Sequence, residues 1–223
     1  KRLRVSILVS WKEYNFVIDC GPDFRQQILR ENCTKIDGVL LTHEHSDHTA
    51  GLDDIRPFYF EQGNLSFFAH KRVFENLHQR FAYIFETVNK YPGAPTIDEI
   101  EIDKNTPFLL GDKHITPIEA FHGKLPVLGF KIDHVAYLTD VKTIAKSELK
   151  KLKGIEVLII NTLRHEKHHS HLNLAEALEL INEIKPKKTY LTHISHVLGF
   201  HKEVEKTLPK NVFLAYDTLK INL

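Results

Sequence analysis

Short apolar runs separated by turn-forming residues dominate the chain. Val5–Val9 and Phe16–Ile18 predict a hairpin-like pair of strands, and Gly21-Pro22 breaks it. Asp23–Arg30 predicts a short helix opened by Asp23. Gly38–Leu41, reading GVLL, predicts a short buried strand. Between Arg72 and Phe85 the apolar residues Val73, Leu77, Phe81 and Ile84 recur near helical spacing, so one helix is expected there. Tyr91–Pro95 reads as a turn-rich loop. Strands are expected at Ile97–Ile102, Ile115–Ala120, Val127–Ile132 and Val135–Leu138, then a helix over Lys142–Lys151 and a strand at Val157–Ile160. Leu174–Ile184 carries the clearest amphipathic pattern, with Leu174, Ala177, Leu178 and Ile181 on one face. Thr189–Leu191, Val212–Ala215 and Leu219–Ile221 are expected to close the chain as strands.

Strands come first, then strands mixed with helices, with strands at both ends. That order points to an α/β protein built as an αββα sandwich, two sheets with helices outside, in a single domain over residues 1–223. No run of about 18 apolar residues occurs, so no membrane-spanning helix is expected. The chain opens at Lys1-Arg2-Leu3-Arg4 and contains no Met, which predicts that its native N-terminus is missing.

Composition narrows the function. Apolar residues make up 42%, enough for a packed core. The formal net charge is +1, which lacks the basic excess of a nucleic-acid binder. It leaves room for a small anionic substrate, because a bound metal supplies its own positive charge. Cys20 and Cys33 form no disulfide framework and no CxxC pair. They read as free buried thiols in a reducing, cytoplasmic compartment.

The 15 histidines change the picture because they cluster. Thr42-His43-Glu44-His45-Ser46-Asp47-His48 packs four metal-capable side chains into six residues, directly after the GVLL strand. His43 and His45 are two apart, so a turning backbone can aim both at one ion. Asp47 and His48 lie beyond the bend and can face a second. Imidazole with carboxylate suits zinc, manganese or iron(II) rather than calcium. The rival reading, a solvated polar loop, suits a lone histidine better than this cluster.

Further candidate ligands stand downstream, each at the exit of an apolar strand: His122, followed by Gly123; Asp140, in Tyr137-Leu138-Thr139-Asp140; and His193, in Leu191-Thr192-His193. Asp140 is either a helix N-cap or a carboxylate with one oxygen for each of two ions. His114, at the start of its strand, is expected at the surface.

These ordered motifs resemble the metallo-β-lactamase superfamily, over nearly the whole chain. The resemblance implies a dinuclear site in which His43, His45 and His122 take one metal, Asp47, His48 and His193 take the other, and Asp140 bridges. Asp19 is then expected to orient a ligand histidine. Ile18–Arg25, Gly51–Pro57 and Thr192–His196 look like the phosphoribosyl 1,2-cyclic phosphate phosphodiesterase group, an accessory type of the carbon–phosphorus lyase pathway. His171, just before the Leu174–Ile184 helix, looks similar to the histidine that protonates the leaving oxygen in transfer-RNA processing nucleases. His196 stands at the spacing at which that phosphodiesterase group places a histidine on an extra structural zinc. The implied function is a phosphodiesterase acting on a small cyclic phosphodiester with two divalent ions (zinc, manganese or iron), with Asp47, Asp140 and His171 in catalytic roles. An RNA-processing nuclease and a lactone or thioester hydrolase are the alternatives on the same fold, and a metal-binding protein without turnover is a third. Arg25 and Arg56 can pair with a phosphate or satisfy carboxylates. Lys71–Arg72 and Lys185–Lys188 read as solvated faces. Asn64–Ile102 is a stretch for shaping a pocket or a homodimer contact.

Overall fold

The structure is a computed structural model that describes residues 2–223. Lys1, with which the sequence opens, lies outside the described residues. The chain divides into two compact units, Leu3–Asp103 and Lys104–Leu223, the second taking in Arg2.

The first unit is a five-stranded sheet covered by helices. Its elements are β1 (Ile7–Trp11), β2 (Tyr14–Ile18), α1 (Phe24–Arg30), β3 (Gly38–Leu40), the single turn α2 (Ser46–Thr49), a 3-10 turn (Leu52–Ile55), α3 (Arg56–Gln62), β4 (Leu65–Ala69), α4 (Lys71–Arg80), α5 (Ala82–Phe85) and β5 (Ile97–Glu101). The strands lie in chain order; β1 and β2 form an antiparallel hairpin and β2 to β5 run parallel. Val17, Val39 and Phe67 of the sheet pack with Phe24, Phe58, Val73, Phe74 and Leu77 of the helices. All three residues of β3 are buried, the mark of a strand covered on both faces.

The second unit holds an eight-stranded sheet: β6 (Phe108–Leu110), β7 (Lys113–His122), β8 (Leu125–Ile132), β9 (Val135–Leu138), β10 (Thr143–Ile144), β11 (Val157–Asn161), β12 (Lys188–Thr192) and β13 (Val212–Leu214). Helices α6 (Lys146–Lys151), α7 (Leu174–Ile184) and α8 (His201–Glu205) stand on the connections. β7, β8 and β9 form an antiparallel meander, and β9, β11, β12 and β13 run parallel. Since β8 is antiparallel to both neighbours, β7 and β9 run the same way. The C-terminal ends of β7, β9, β11 and β12 therefore share one sheet edge. The β7–β8 turn needs Gly123 at φ +64 in its first central position.

Several sequence expectations need correction. The 72–85 helix is broken at Phe81 (φ −122, ψ 38), where α4 ends and α5 begins. The 142–151 helix starts only at Lys146, because Thr143 and Ile144 pair with Phe121 and Ala120. Leu219–Ile221 is not a strand; Thr218 has φ 71, and Leu219 N–H donates to Tyr216 O in a turn. Helix α3 and strand β4 were not foreseen. Pro57 argues against a helix interior but is tolerated in the first turn, where it sits.

Candidate metal centre

In the first unit the donors sit on one loop. β3 delivers Leu41-Thr42 into His43–His48, and α2 turns the chain so that Asp47 and His48 follow the bend. His43 and His48 are buried, Asp47 is half-buried and His45 is exposed. His43 Nε2 and His45 Nδ1 lie 3.0 Å apart. Two imidazole nitrogens on a tetrahedral zinc are about 3.3 Å apart, given Zn–N near 2.05 Å, so this pair already has ligand spacing.

Asp19 organises the loop. It leaves β2 with φ 65, a left-handed bend that Asp tolerates better than most residues. Its carboxylate accepts the Thr42 N–H at 2.8 Å and the Thr42 hydroxyl at 2.9 and 3.0 Å. Oδ2 also accepts from His48 Nδ1 at 2.7 Å, with both side chains fully buried. A carboxylate can only accept, so His48 carries its proton on Nδ1 and keeps a lone pair on Nε2. The Thr42 hydroxyl gives its proton to Asp19 and can accept from His43 Nδ1 at 3.0 Å, which puts the His43 lone pair on Nε2, the atom that faces His45. This is the support that metal-binding histidines require.

The second unit presents its donors along one sheet edge. His122 ends β7, Asp140 follows β9 and His193 follows β12. Asp140 (φ 57) and His193 (φ 53) both take the left-handed bend. Asp140 is not a helix N-cap, since that position of α6 belongs to Ala145. Its Oδ1 lies 3.1 Å from His193 Nε2; its Oδ2 lies 3.9 Å from His122 Nε2 and 3.9 Å from His171 Nδ1. The two oxygens thus face different imidazoles, as a bridging carboxylate would. His122 Nδ1 donates to the Ser170 carbonyl at 2.7 Å, leaving Nε2 as the donor atom toward a metal. Asp140, His171 and His193 offer atoms that lie within 4.8 Å of one another.

His171 stands two residues before Asn173, which caps α7 in a reciprocal capping box with Glu176. Its ring is buried, 4.4 Å from the His122 ring and 4.9 Å from that of His193. Nδ1 has no hydrogen-bond partner. Burial pushes its pKa down to about 3; nearby Asp140 raises it, and His193, His122 and His168 lower it.

Asn161, at the end of β11, was missed in the sequence: it accepts the Val141 N–H at 2.7 Å, donates to the Val141 carbonyl at 3.1 Å, and so pins the residue after Asp140. Ser170 was missed too, because its role lies in a backbone carbonyl. Arg72 does not join the solvated face expected for it; it pairs with Glu44 inside the ligand motif. Arg56 pairs with Asp53 through Nε at 2.9 Å and Nη2 at 2.8 Å, the carboxylate-satisfying alternative. Arg25, His114 and His196 are exposed. Among the described residues His196 belongs to none of the potential ligand groups. Cys20 is a buried free thiol, and Cys33 is free and half-buried.

Residues 14–194 match the model of the beta-lactamase superfamily domain. The chain also resembles a solved diphosphatase of the PhnP family, at 33% identity and a TM-score of 0.92, over 99% of this chain and 84% of that one. The chain belongs to the beta-lactamase superfamily, in its PhnP-like group. The fold class expected from the sequence is therefore that of this superfamily. The short form of human tRNase Z shares the fold, with a TM-score of 0.72 at 16% identity over 98% of this chain and 92% of that one. An octanoyltransferase of Porphyromonas gingivalis is 39% identical over 222 residues, 99% of this chain and 45% of that protein. This PhnP-like chain thus spans less than half of that relative's length. The donor set of imidazoles and carboxylates, with Asp19 and Ser170 fixing ring orientation, fits the divalent metal ions that the superfamily implies. No helix among the described residues is long and apolar enough to cross a membrane.

Proposed function

We propose that this domain is a metal-dependent hydrolase of a small phosphodiester, a cyclic one by preference, and that both donor sets serve its metals. His43, His45 and His122 would hold one divalent ion, Asp47, His48 and His193 a second, and Asp140 would bridge. Zinc, manganese and iron(II) all suit this set. When bound, such a pair supplies an activated water and offsets negative charge at phosphorus.

One observation carries the reading: the second unit's sheet edge gathers His122, Asp140 and His193 with a fourth side chain, the buried imidazole of His171, whose Nδ1 has no hydrogen-bond partner. In this reading His122, Asp140 and His193 are the ligands and His171 is left for the substrate. A metal store has no use for that extra group. In hydrolysis, water oxygen bonds to phosphorus, the bond to the leaving oxygen breaks, and that oxygen needs a proton. His171 supplies it. To act as the acid the ring must first take a proton from solvent, and an anionic phosphate alongside favours that charged form.

A second reading is hydrolysis of a diphosphate bond, favoured by the similarity to the PhnP-family diphosphatase. A phosphate leaving group departs without the proton an alkoxide needs, so His171 would then matter little. The net charge of +1 speaks against an RNA substrate, and the two free cysteines suit a reducing, cytoplasmic compartment. The test is hydrolysis of bis-p-nitrophenyl phosphate, ribose cyclic phosphates and diphosphate esters with added manganese or zinc. Turnover of the cyclic diesters is expected. Turnover of lactones or thioesters alone, or of nothing with any metal, would overturn the reading.

A further inference from the structure

The ligand loop of the first unit is short and exposed at its tip, and α2 has no side-chain cap: His45, its N-cap residue, makes none. A one-turn helix is too short to hold itself. The side chains that hold it come from α4. The guanidinium of Arg80 donates from Nη1 to the Glu44 carbonyl at 2.7 Å and to Thr49 Oγ1 at 2.9 Å, and from Nη2 to Ser46 Oγ at 3.2 Å. Thr49 Oγ1 passes the contact on by donating to the His45 carbonyl at 2.9 Å. Eight residues earlier on the same helix, Arg72 pairs with the Glu44 carboxylate. Asn76 stands between them at helical i, i+4 spacing and accepts from Arg80 at 3.3 Å. The opposite face of α4 is anchored in the core by Val73, Phe74 and Leu77.

The pattern of contacts is specific. Arg80 touches residues 44 and 46, which alternate with the candidate ligands 43, 45 and 47, and residue 49, which directly follows the candidate ligand 48. Arg80 therefore holds the spacers 44 and 46 and the residue that ends the motif, and these contacts use none of the candidate ligand side chains. A guanidinium fork can hold a carbonyl and two hydroxyls in fixed geometry, which a lysine cannot.

We infer that Arg80, assisted by Arg72, is a positioning residue that presets the metal-binding conformation of the His43–His48 loop. The inference rests on the proposed metal role of that loop and on nothing further about substrate. Its test is metal binding by the full chain. Apo wild type, Arg80→Ala and Arg80→Lys are titrated with zinc and manganese, and the absorption spectrum of each cobalt(II) form is recorded with its thermal transition. Arg80→Ala is expected to keep its thermal transition within a few degrees and to lose about 10- to 100-fold in metal affinity, the effect of removing a group that supports a ligand. Its cobalt spectrum should change, and Arg80→Lys should recover part of the loss. If Arg80→Ala loses its thermal transition, Arg80→Gln takes its place with the same expected loss. Wild-type affinity and spectrum in a folded Ala or Gln variant would overturn the inference and leave the proposed hydrolase standing. A wild-type chain that takes up no metal would remove both.

Discussion

The two units assemble their donors in opposite ways. The first writes four candidate ligands into six consecutive residues and must then stiffen the loop that carries them, with Asp19 and Thr42 beneath and the arginines of α4 alongside. The second spreads His122, Asp140, His171 and His193 over most of its length and needs little stiffening, because three of these residues leave parallel-running strands at one edge. A contiguous motif thus takes its order from added hydrogen bonds, and a dispersed one takes it from the sheet.

If both sets serve the same reaction, losing a ligand from either should cost alike. His43→Ala and His193→Ala are each expected to lower turnover of the best diester by at least about 10³-fold, beyond the 10- to 100-fold typical of supporting residues. A large loss in one and a small loss in the other, measured with saturating metal, would break the symmetry. His171→Gln comes next. Its turnover of diesters with alkoxide leaving groups should fall by about 10²-fold or more, the range for a general acid. It should keep its metal content, and turnover of diesters with activated leaving groups such as p-nitrophenolate should fall less. Loss of metal in this variant would instead make His171 a ligand, which its distances to Asp140 and His193 also allow.

The supporting residues should show the contrast most clearly. Asp19→Asn removes the acceptor that fixes His48, and metal affinity is expected to fall about 10- to 100-fold. Asn161→Ala should cost less affinity, because β9 already directs Asp140, and more stability, about 1–3 kcal/mol for the buried Val141 groups left unpaired. Chemical denaturation alongside metal titration separates the two.

The smallest effect concerns acid. His171 has a pKa of about 3 when folded, against an ordinary value of 6.5. Between those limits the unfolded chain binds the extra proton, so this residue makes stability rise with pH through that window and fall as pH drops from 6.5 toward 3. Acid unfolding of the metal-free His171→Gln protein should shift to lower pH than wild type. An unchanged midpoint would count against the burial that sets this value.

The same contrast explains what could be read in advance. The His43–His48 loop was legible because its chemistry is local, and the strand exits at His122, Asp140 and His193 were legible because apolar runs end there. Leu174–Ile184 matches α7 at both ends, since its amphipathic period and the Asn173 cap agree. Arg80, Ser170 and Asn161 were not legible, because their partners are backbone groups that only the tertiary fold brings near. β4 and α3 were lost for a different reason: LSFFA is short and carries one polar residue, Ser66, too few to show a period, and Pro57 hides the start of its helix.

The central claim is that both donor sets hold metal for one phosphodiesterase reaction. It is tested most directly by metal content against activity, with the chelated protein reloaded stepwise with zinc or manganese while hydrolysis of a ribose cyclic phosphate is followed. The account predicts two metal equivalents per chain, activity that rises to a plateau at the second, and reduced stoichiometry when His43 or His193 is replaced by alanine. Full activity in the chelated chain, or two tightly held equivalents with no hydrolysis of any phosphate ester, would contradict it.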